Sequence, residues 1–270
     1  MTNICYITAI YGNYESTCKA FVKQNIDSDF ICFTDSNNIK PNGWIIDRNP
    51  YHITHKSKLD DGKKHNSLNN NKHTFNICKY YKQAFQNIPR LKQYDIIVWI
   101  DGTIEITNEF VSQYILKHIY KYKIIAWEHQ HRHGILANEL QCSLMCDKYT
   151  STFFSNHSQP KQKVCQQYID YIVSGYNETL FQKCNETLGT KHYGVWITCF
   201  IAFLNNDLHV SNFLDEWYNE NLIHTTQDQL SFPFVVQKTQ IFPFTLPNHE
   251  IKSVDTHFKT DFYIKNNHGK

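Results

Sequence analysis

Ile96-Ile97-Val98-Trp99-Ile100-Asp101-Gly102-Thr103 is the stretch on which the fold of this 270-residue chain turns. Five consecutive apolar residues bounded by polar ones describe a strand buried on both faces, and such strands belong to parallel sheets covered by helices. The run ends directly in an aspartate and a glycine. In open α/β sheets ligands collect beyond the carboxyl ends of the strands. A carboxylate there offers oxygen to a hard cation, and the glycine lets backbone approach a ligand closely. The plainer alternative is an Asp that only opens a turn.

Outward from this run the same pattern repeats. Residues 4–11 and 30–34 are apolar runs closed by Gly12-Asn13 and by Asp35-Ser36-Asn37-Asn38, and Trp44-Ile45-Ile46 follows a Pro41-Asn42-Gly43 turn. Residues 124–127 and 195–204 add two more strands. Helical spacing is read over 16–24, 75–84, 109–120, 136–148, 162–173, 212–218 and 229–237. The interleaving predicts an α/β fold with a central, mostly parallel sheet flanked by helices. No linker or repeat divides the chain, so one domain over 1–270 is expected. Residues 56–72 are polar and read as a mobile loop, or as a lid that orders over ligand. Residues 241–270 read as a tail able to close over the site.

Composition narrows the classes. Apolar residues make up 41% and aromatics 15%, enough for a large core, which excludes disorder and coiled coil as the main architecture. A formal net charge of +2 is too mild for a nucleic-acid binder. The 9 cysteines are odd in number and several sit inside apolar runs, so reduced, buried thiols are expected. The N-terminus has no basic region leading into an apolar stretch, and no run approaches the roughly 20 apolar residues of a membrane span. The expectation is a cytoplasmic protein.

Three further constellations carry possible chemistry. Lys79 and Lys82, three apart, share one helix face; they could neutralise a diphosphate or form a solvated charged face. His129-Gln130-His131-Arg132-His133, if extended, projects its imidazoles to one side, suiting zinc with Cys142 or Cys146, or a ligand-binding loop in which Arg132 grips phosphate. Thr225-Thr226-Gln227-Asp228-Gln229 is ordinary helix-start chemistry as far as Thr226 and Asp228 go. The two glutamines around the acid suggest groups that fix sugar hydroxyls.

Together, Lys79-Tyr80-Tyr81-Lys82, Trp99-Ile100-Asp101-Gly102 and Gln227-Asp228-Gln229-Leu230-Ser231-Phe232 resemble the glycosyltransferase-like domain of plant mucilage-related proteins, a family also found in bacterial capsule clusters. Thr8-Ala9-Ile10-Tyr11-Gly12 and Phe33-Thr34-Asp35 match its start, and the resemblance spans residues 3–240. It implies a GT-A type, Rossmann-like fold, a nucleotide-sugar donor with UDP favoured, and a glycan or lipid-linked acceptor. It also implies Mn²⁺ or Mg²⁺ at the Asp-x-Asp position, which here reads Asp101-Gly102-Thr103 and lacks the second carboxylate. By the same analogy Thr103 and a late histidine, His257 or His268, complete the metal shell. The donor base would rest near Thr8, Ala9 and Tyr11, with Asp35 closing that pocket. Lys79, Lys82, Asp101, Gly102, Arg132 and Gln227 would hold the rest of the donor. Asp228 and Gln229 would act at the sugar, Asp228 also as general base in an inverting reaction. An inactive sugar-nucleotide binder and a metal-dependent hydrolase are the alternatives.

Overall fold

A computed structural model describes residues 2–54, 73–129, 131–154, 157–158, 161–188, 193–246, 252–254, 257–259 and 262–265. The expected loop at 56–72 lies outside the described residues. The apolar runs become strands β1 (Ile4–Ile10), β2 (Ser28–Thr34), β3 (Ile45–Asp47), β4 (Ile96–Ile100), β5 (Ile104–Ile106), β6 (Ile124–Glu128), β7 (Phe153–Phe154), β8 (His157–Ser158), β9 (Trp196–Leu204), β10 (Phe244–Leu246), β11 (Lys252–Val254), β12 (His257–Lys259) and β13 (Tyr263–Lys265). Between them run helices α1 (Tyr51–Thr54), α2 (Thr74–Gln83), α3 (Val111–Tyr122), α4 (Leu136–Leu144), α5 (Asp147–Thr150), α6 (Val164–Val173), α7 (Glu178–Leu188), α8 (Leu208–Ile223) and α9 (Asp228–Thr239).

Seven strands form one sheet in the order β10-β6-β9-β4-β1-β2-β3. Its pairings are parallel except those of β9, which runs antiparallel to β4 and β6. Every residue of β4 is buried. Ile97 and Trp99 face a core shared with α2, α8 and α9, while Ile96, Val98 and Ile100 face a second core against α3. Helices cover both faces because both faces are apolar. The reversal of β9 matters for the site, since Phe200 stands opposite Ile100 and the start of β9 therefore meets the carboxyl end of β4.

Several expectations need correction. Residues 16–24 are not helical: Cys18 N–H donates to the Lys40 carbonyl, Val22 N–H to Ile106, and Asn42 and Trp44 side chains donate to the Cys18 and Lys19 carbonyls. Those groups are spent across the chain instead of within a helix. The helix expected over 136–148 breaks at Met145-Cys146 into α4 and α5. The second sheet, β11-β12-β13-β5, and α7 escaped the sequence reading. Only some cysteines are buried; Cys142 and Cys165 are exposed, and all are free thiols. No helix among the described residues is long and apolar enough to cross a membrane.

Candidate active site

A cleft of about 490 Å³ opens where the carboxyl ends of β1 and β4 meet the start of β9. One wall is α2, whose Cys78, Lys79 and Lys82 line it; another is the first turn of α9, with Asp228 and Gln229. Because α2 packs on β1 and its 3.6-residue period puts positions 79 and 82 on one face, both ammonium groups arrive beside the β4 tip. Tyr14, Phe75 and Phe154 form an aromatic mouth, and the Lys148 ammonium lies 5.1 Å from the centre of the Phe75 ring.

The electrostatic centre is a four-group cluster in which Lys79, Lys82 and Asp228 are buried and Asp101 is partly exposed. Asp228 Oδ2 lies 2.5 Å from both Lys79 Nζ and Lys82 Nζ, and Lys82 Nζ lies 3.6 Å from Asp101 Oδ1. Burial opposes the charge on Asp228, but the two ammonium groups outweigh it and hold its carboxyl well below the usual range. The lysines differ for a physical reason. Burial, reinforced by the nearby Lys82 and Lys148 charges, outweighs Asp228 and brings Lys79 down to about 8. Burial acts on Lys82 as well, yet with Asp101 and Asp228 both facing it its proton is held more tightly than usual. An anion this well stabilised takes up protons reluctantly, so the general-base role expected of Asp228 fits this geometry poorly.

Asp101 is set up differently. Its Oδ1 accepts the Trp99 indole N–H at 2.8 Å, and its side chain is 39% exposed. Burial pushes its carboxyl up, but Lys82 holds it below its ordinary value. Among the described residues Oδ2 makes no hydrogen bond or ion pair. Two residues on, Thr103 is buried and its Oγ1 has no partner among the described residues. A free carboxylate oxygen and an unsatisfied hydroxyl suit a hard cation that keeps most of its shell as water and phosphate. No three His, Cys, Asp or Glu side chains converge on a metal position among the described residues.

Behind Asp228 the chain is locked by amides. Gln227 Nε2 donates to Glu139 Oε1 at 2.7 Å and to Ser143 Oγ at 2.8 Å, and its Oε1 accepts the Tyr149 hydroxyl at 2.9 Å. Arg132 Nε donates to Glu139 Oε2 at 2.6 Å. Thr226 N–H and Oγ1 both donate to Gln162 Oε1, and Thr225 Oγ1 donates to Gln167. Arg132, expected to grip the donor, is committed to this framework and does not line the cleft, whereas Gln227 belongs to the framework and lines the cleft as well. Glu139 emerges as its hub, bonded to Arg132, Ser143 and Gln227.

The remaining candidates fall into place as follows. Ala9, Tyr11, Gly102 and Thr103 line the cleft with the charged cluster, whereas Thr8 is buried beneath it. The Tyr11 hydroxyl donates to Tyr81 at 2.8 Å, and Asp35 is exposed and accepts the Gly12 N–H at 3.1 Å. Gln229 reaches the Trp196 carbonyl at 3.4 Å. His257 lies on β12, while His268 is outside the described residues. The histidine run turns instead of extending: Arg132 N–H donates to the His129 carbonyl and His133 has φ 52°, so only His129 and His131 face the cleft. Gly134 and Gly194 permit that turn. A Cβ on Gly134 would stand 2.6 Å from the Tyr193 carbonyl oxygen, and Gly194 has φ +133°. Glu15, Lys148 and Tyr149 were missed because each is separated in sequence from any motif, whereas Trp99 stands inside the quoted strand and reads there as a core residue only.

No family model matches this chain, and no curated protein does. Among solved structures it is similar to WbbM, a bifunctional glycosyltransferase in apo form, at 11% identity over 90% of this chain and 38% of that one, with a TM-score of 0.42. The chain thus spans well under half of that protein. Mouse xyloside xylosyltransferase 1 gives 6% identity over 91% and 84% of the two chains, with a TM-score of 0.46. Core-mannan synthase A of Aspergillus fumigatus, in a Mn/GDP form, gives 10% identity over 92% and 73%, with a TM-score of 0.36. Such values describe a likeness of chain course, and no activity follows from them.

Proposed function

We propose that this protein is a glycosyltransferase that moves a sugar from a nucleoside diphosphate, UDP by preference, to a hydroxyl acceptor in the cleft at the tip of β4. The observation that carries the reading is the convergence of Lys79, Lys82 and Asp101 on one cleft at the carboxyl end of a mostly parallel sheet. In such a transfer the acceptor oxygen bonds to the anomeric carbon while the bond from that carbon to the diphosphate breaks. The electron pair leaves with the diphosphate, and the acceptor proton passes to a base. Negative charge builds on the leaving group, so ammonium groups fixed beside it lower the barrier.

Charge balance supports a cation partner. Lys79, Lys82 and Lys148 line the cleft, and so do Glu15, Asp101 and Asp228, so three positive groups face three negative ones. A diphosphate therefore brings charge that the protein does not already offset. A divalent ion, Mn²⁺ or Mg²⁺, held by Asp101 and Thr103 would supply that missing positive charge. Asp228 sets the position of both ammonium groups, and Gln229 faces the same space for the sugar. Tyr11, Tyr14 and Phe75, which line the same cleft, are the rings proposed to pack beside the base.

Threonine at position 103, where the resembled family has a carboxylate, favours a second reading: a donor binder without turnover. One screen tests both. Thermal shift with UDP, GDP and their sugar conjugates, with and without Mn²⁺, is expected to show stabilisation by a nucleotide that grows with the metal. No shift from any nucleotide would sink both readings, and a shift without Mn²⁺-dependent donor hydrolysis would leave the binder.

A further inference from the structure

We infer that Glu139 is a positioning residue for the cleft: by holding the Gln227 amide it fixes the first turn of α9, and with it the place of Asp228 between Lys79 and Lys82. As a contribution to sugar transfer, this rests on the function proposed for the cleft. Glu139 lies in the first turn of α4 and is 2% exposed. Both of its carboxylate oxygens are engaged. Oε1 accepts Gln227 Nε2 at 2.7 Å and the Ser143 hydroxyl at 3.5 Å, and Oε2 accepts Arg132 Nε at 2.6 Å. His129 Nε2 stands farther off, 3.9 Å from Oε2. Burial pushes the Glu139 carboxyl up and outweighs the Arg132 guanidinium beside it. An acid buried this fully depends on its donors, so their places are fixed together with its own.

Gln227 carries this constraint to the cleft. It occupies the N-cap position of α9, where a side chain ordinarily satisfies the first N–H groups of the helix, yet it does not cap. Its amide is drawn sideways instead. Nε2 donates to Glu139 and to Ser143, and Oε1 accepts the Tyr149 hydroxyl. The ends of α4, α5 and α9 are therefore tied at one amide, a single residue before Asp228. Asp228 Oδ2 in turn meets both ammonium groups of α2 at 2.5 Å. A stitch that served the core alone could join α4 to α9 at any level. This one ends on a residue that lines the cleft and adjoins its central acid.

The test follows the Lys79 proton in the whole chain, labelled with ¹³C-lysine, by NMR titration of its Cε signal, which Lys79→Met assigns. Lys79 is faced by Asp228 from α9, Lys82 from its own helix and Lys148 from α5; of these three Asp228 alone holds the proton on. In Glu139→Gln the charged Arg132 claims the oxygen of the new amide. Its NH₂ is left against the Gln227 NH₂, the tie breaks, and Asp228 draws back from Lys79. The Lys79 midpoint should then fall below about 8 by at least about half a pH unit. Gln227→Met cuts the same bond without altering any charge and should lower the midpoint alike, and the double variant should lower it no further. Gly194→Ala, destabilised away from the cluster, should keep the wild-type midpoint. An unchanged midpoint in Glu139→Gln overturns the inference even where Tm falls, and so does an equal drop in Gly194→Ala. Should Glu139→Gln fail to fold, Gln227→Met carries the test, and an unchanged midpoint there overturns the inference. UDP titration of the wild type is read separately. If UDP binds while the midpoint is indifferent to Glu139, this inference falls and the proposed function stands; if the midpoint moves but UDP does not bind, the reverse holds.

Discussion

Asp228→Asn tests the charged cluster from both sides, stability and ligand binding. The side chains of Lys79, Lys82 and Asp228 are 11%, 3% and 7% exposed, and one carboxylate oxygen touches both ammonium groups at 2.5 Å. Removing one partner of a buried ion pair costs about 3–5 kcal/mol. Two features move the cost toward the lower end. Lys82 keeps Asp101 at 3.6 Å, and Lys79, already down to about 8, can shed its proton. A loss of about 3 kcal/mol in a chain of this size lowers Tm by about 6–12 °C. Binding should move the opposite way, because a diphosphate replaces the anion that Lys79 and Lys82 have lost and restores the Lys79 proton. A carboxylate about 8 Å from a phosphate charge, at an effective dielectric of about 20, repels it by about 2 kcal/mol. UDP binding should therefore tighten at least about tenfold in the variant, while sugar transfer is lost. Calorimetry supplies both numbers, one by scanning and one by UDP titration. A Tm within about 2 °C of wild type, or unchanged or weaker UDP binding, would refute the claim that Asp228 occupies these lysines in the place of the diphosphate.

Three more outcomes are expected. UDP affinity should fall as pH rises through about 8, where Lys79 loses its proton, and Lys79→Met should lose that dependence in titrations from pH 7 to 9.5. Stability carries the opposite sign: from about 8 up to the ordinary 10.5 the unfolded chain holds a proton that the folded chain has released, so this group adds stability as pH rises. Asp101→Asn should cut turnover at least about a hundredfold in a donor-hydrolysis or transfer assay. It should barely move Tm, since that side chain is 39% exposed. Gly194→Ala forces a Cβ into the Gly134 backbone at φ +133° and should cost more than about 1 kcal/mol on thermal unfolding, without altering the charged cluster.

The α/β class and the sheet's parallel core were legible because burial on both faces leaves unbroken apolar runs, as in Ile96 to Ile100 and Ile4 to Ile10. The segment after β1 was misread because periodicity cannot see that Lys40, Asn42 and Trp44 compete for its backbone groups. Short strands such as Ile104–Ile106 carry too few residues for a period. Within the cleft, Lys79, Lys82, Asp101 and Asp228 were readable as motif residues, but their mutual contacts were not. Those contacts depend on β9 running against its neighbours, a reversal that local sequence does not encode. Glu15 and Lys148 reach the cleft through tertiary folding alone. Arg132 shows the converse limit: a guanidinium suited to phosphate is bound to Glu139.

A crystal structure of the protein with UDP and Mn²⁺ bears most directly on the central idea. It should place diphosphate oxygens within ion-pair reach of Lys79 and Lys82, with the metal on Asp101. Diphosphate bound elsewhere, with both lysines still closed on Asp228, would contradict it.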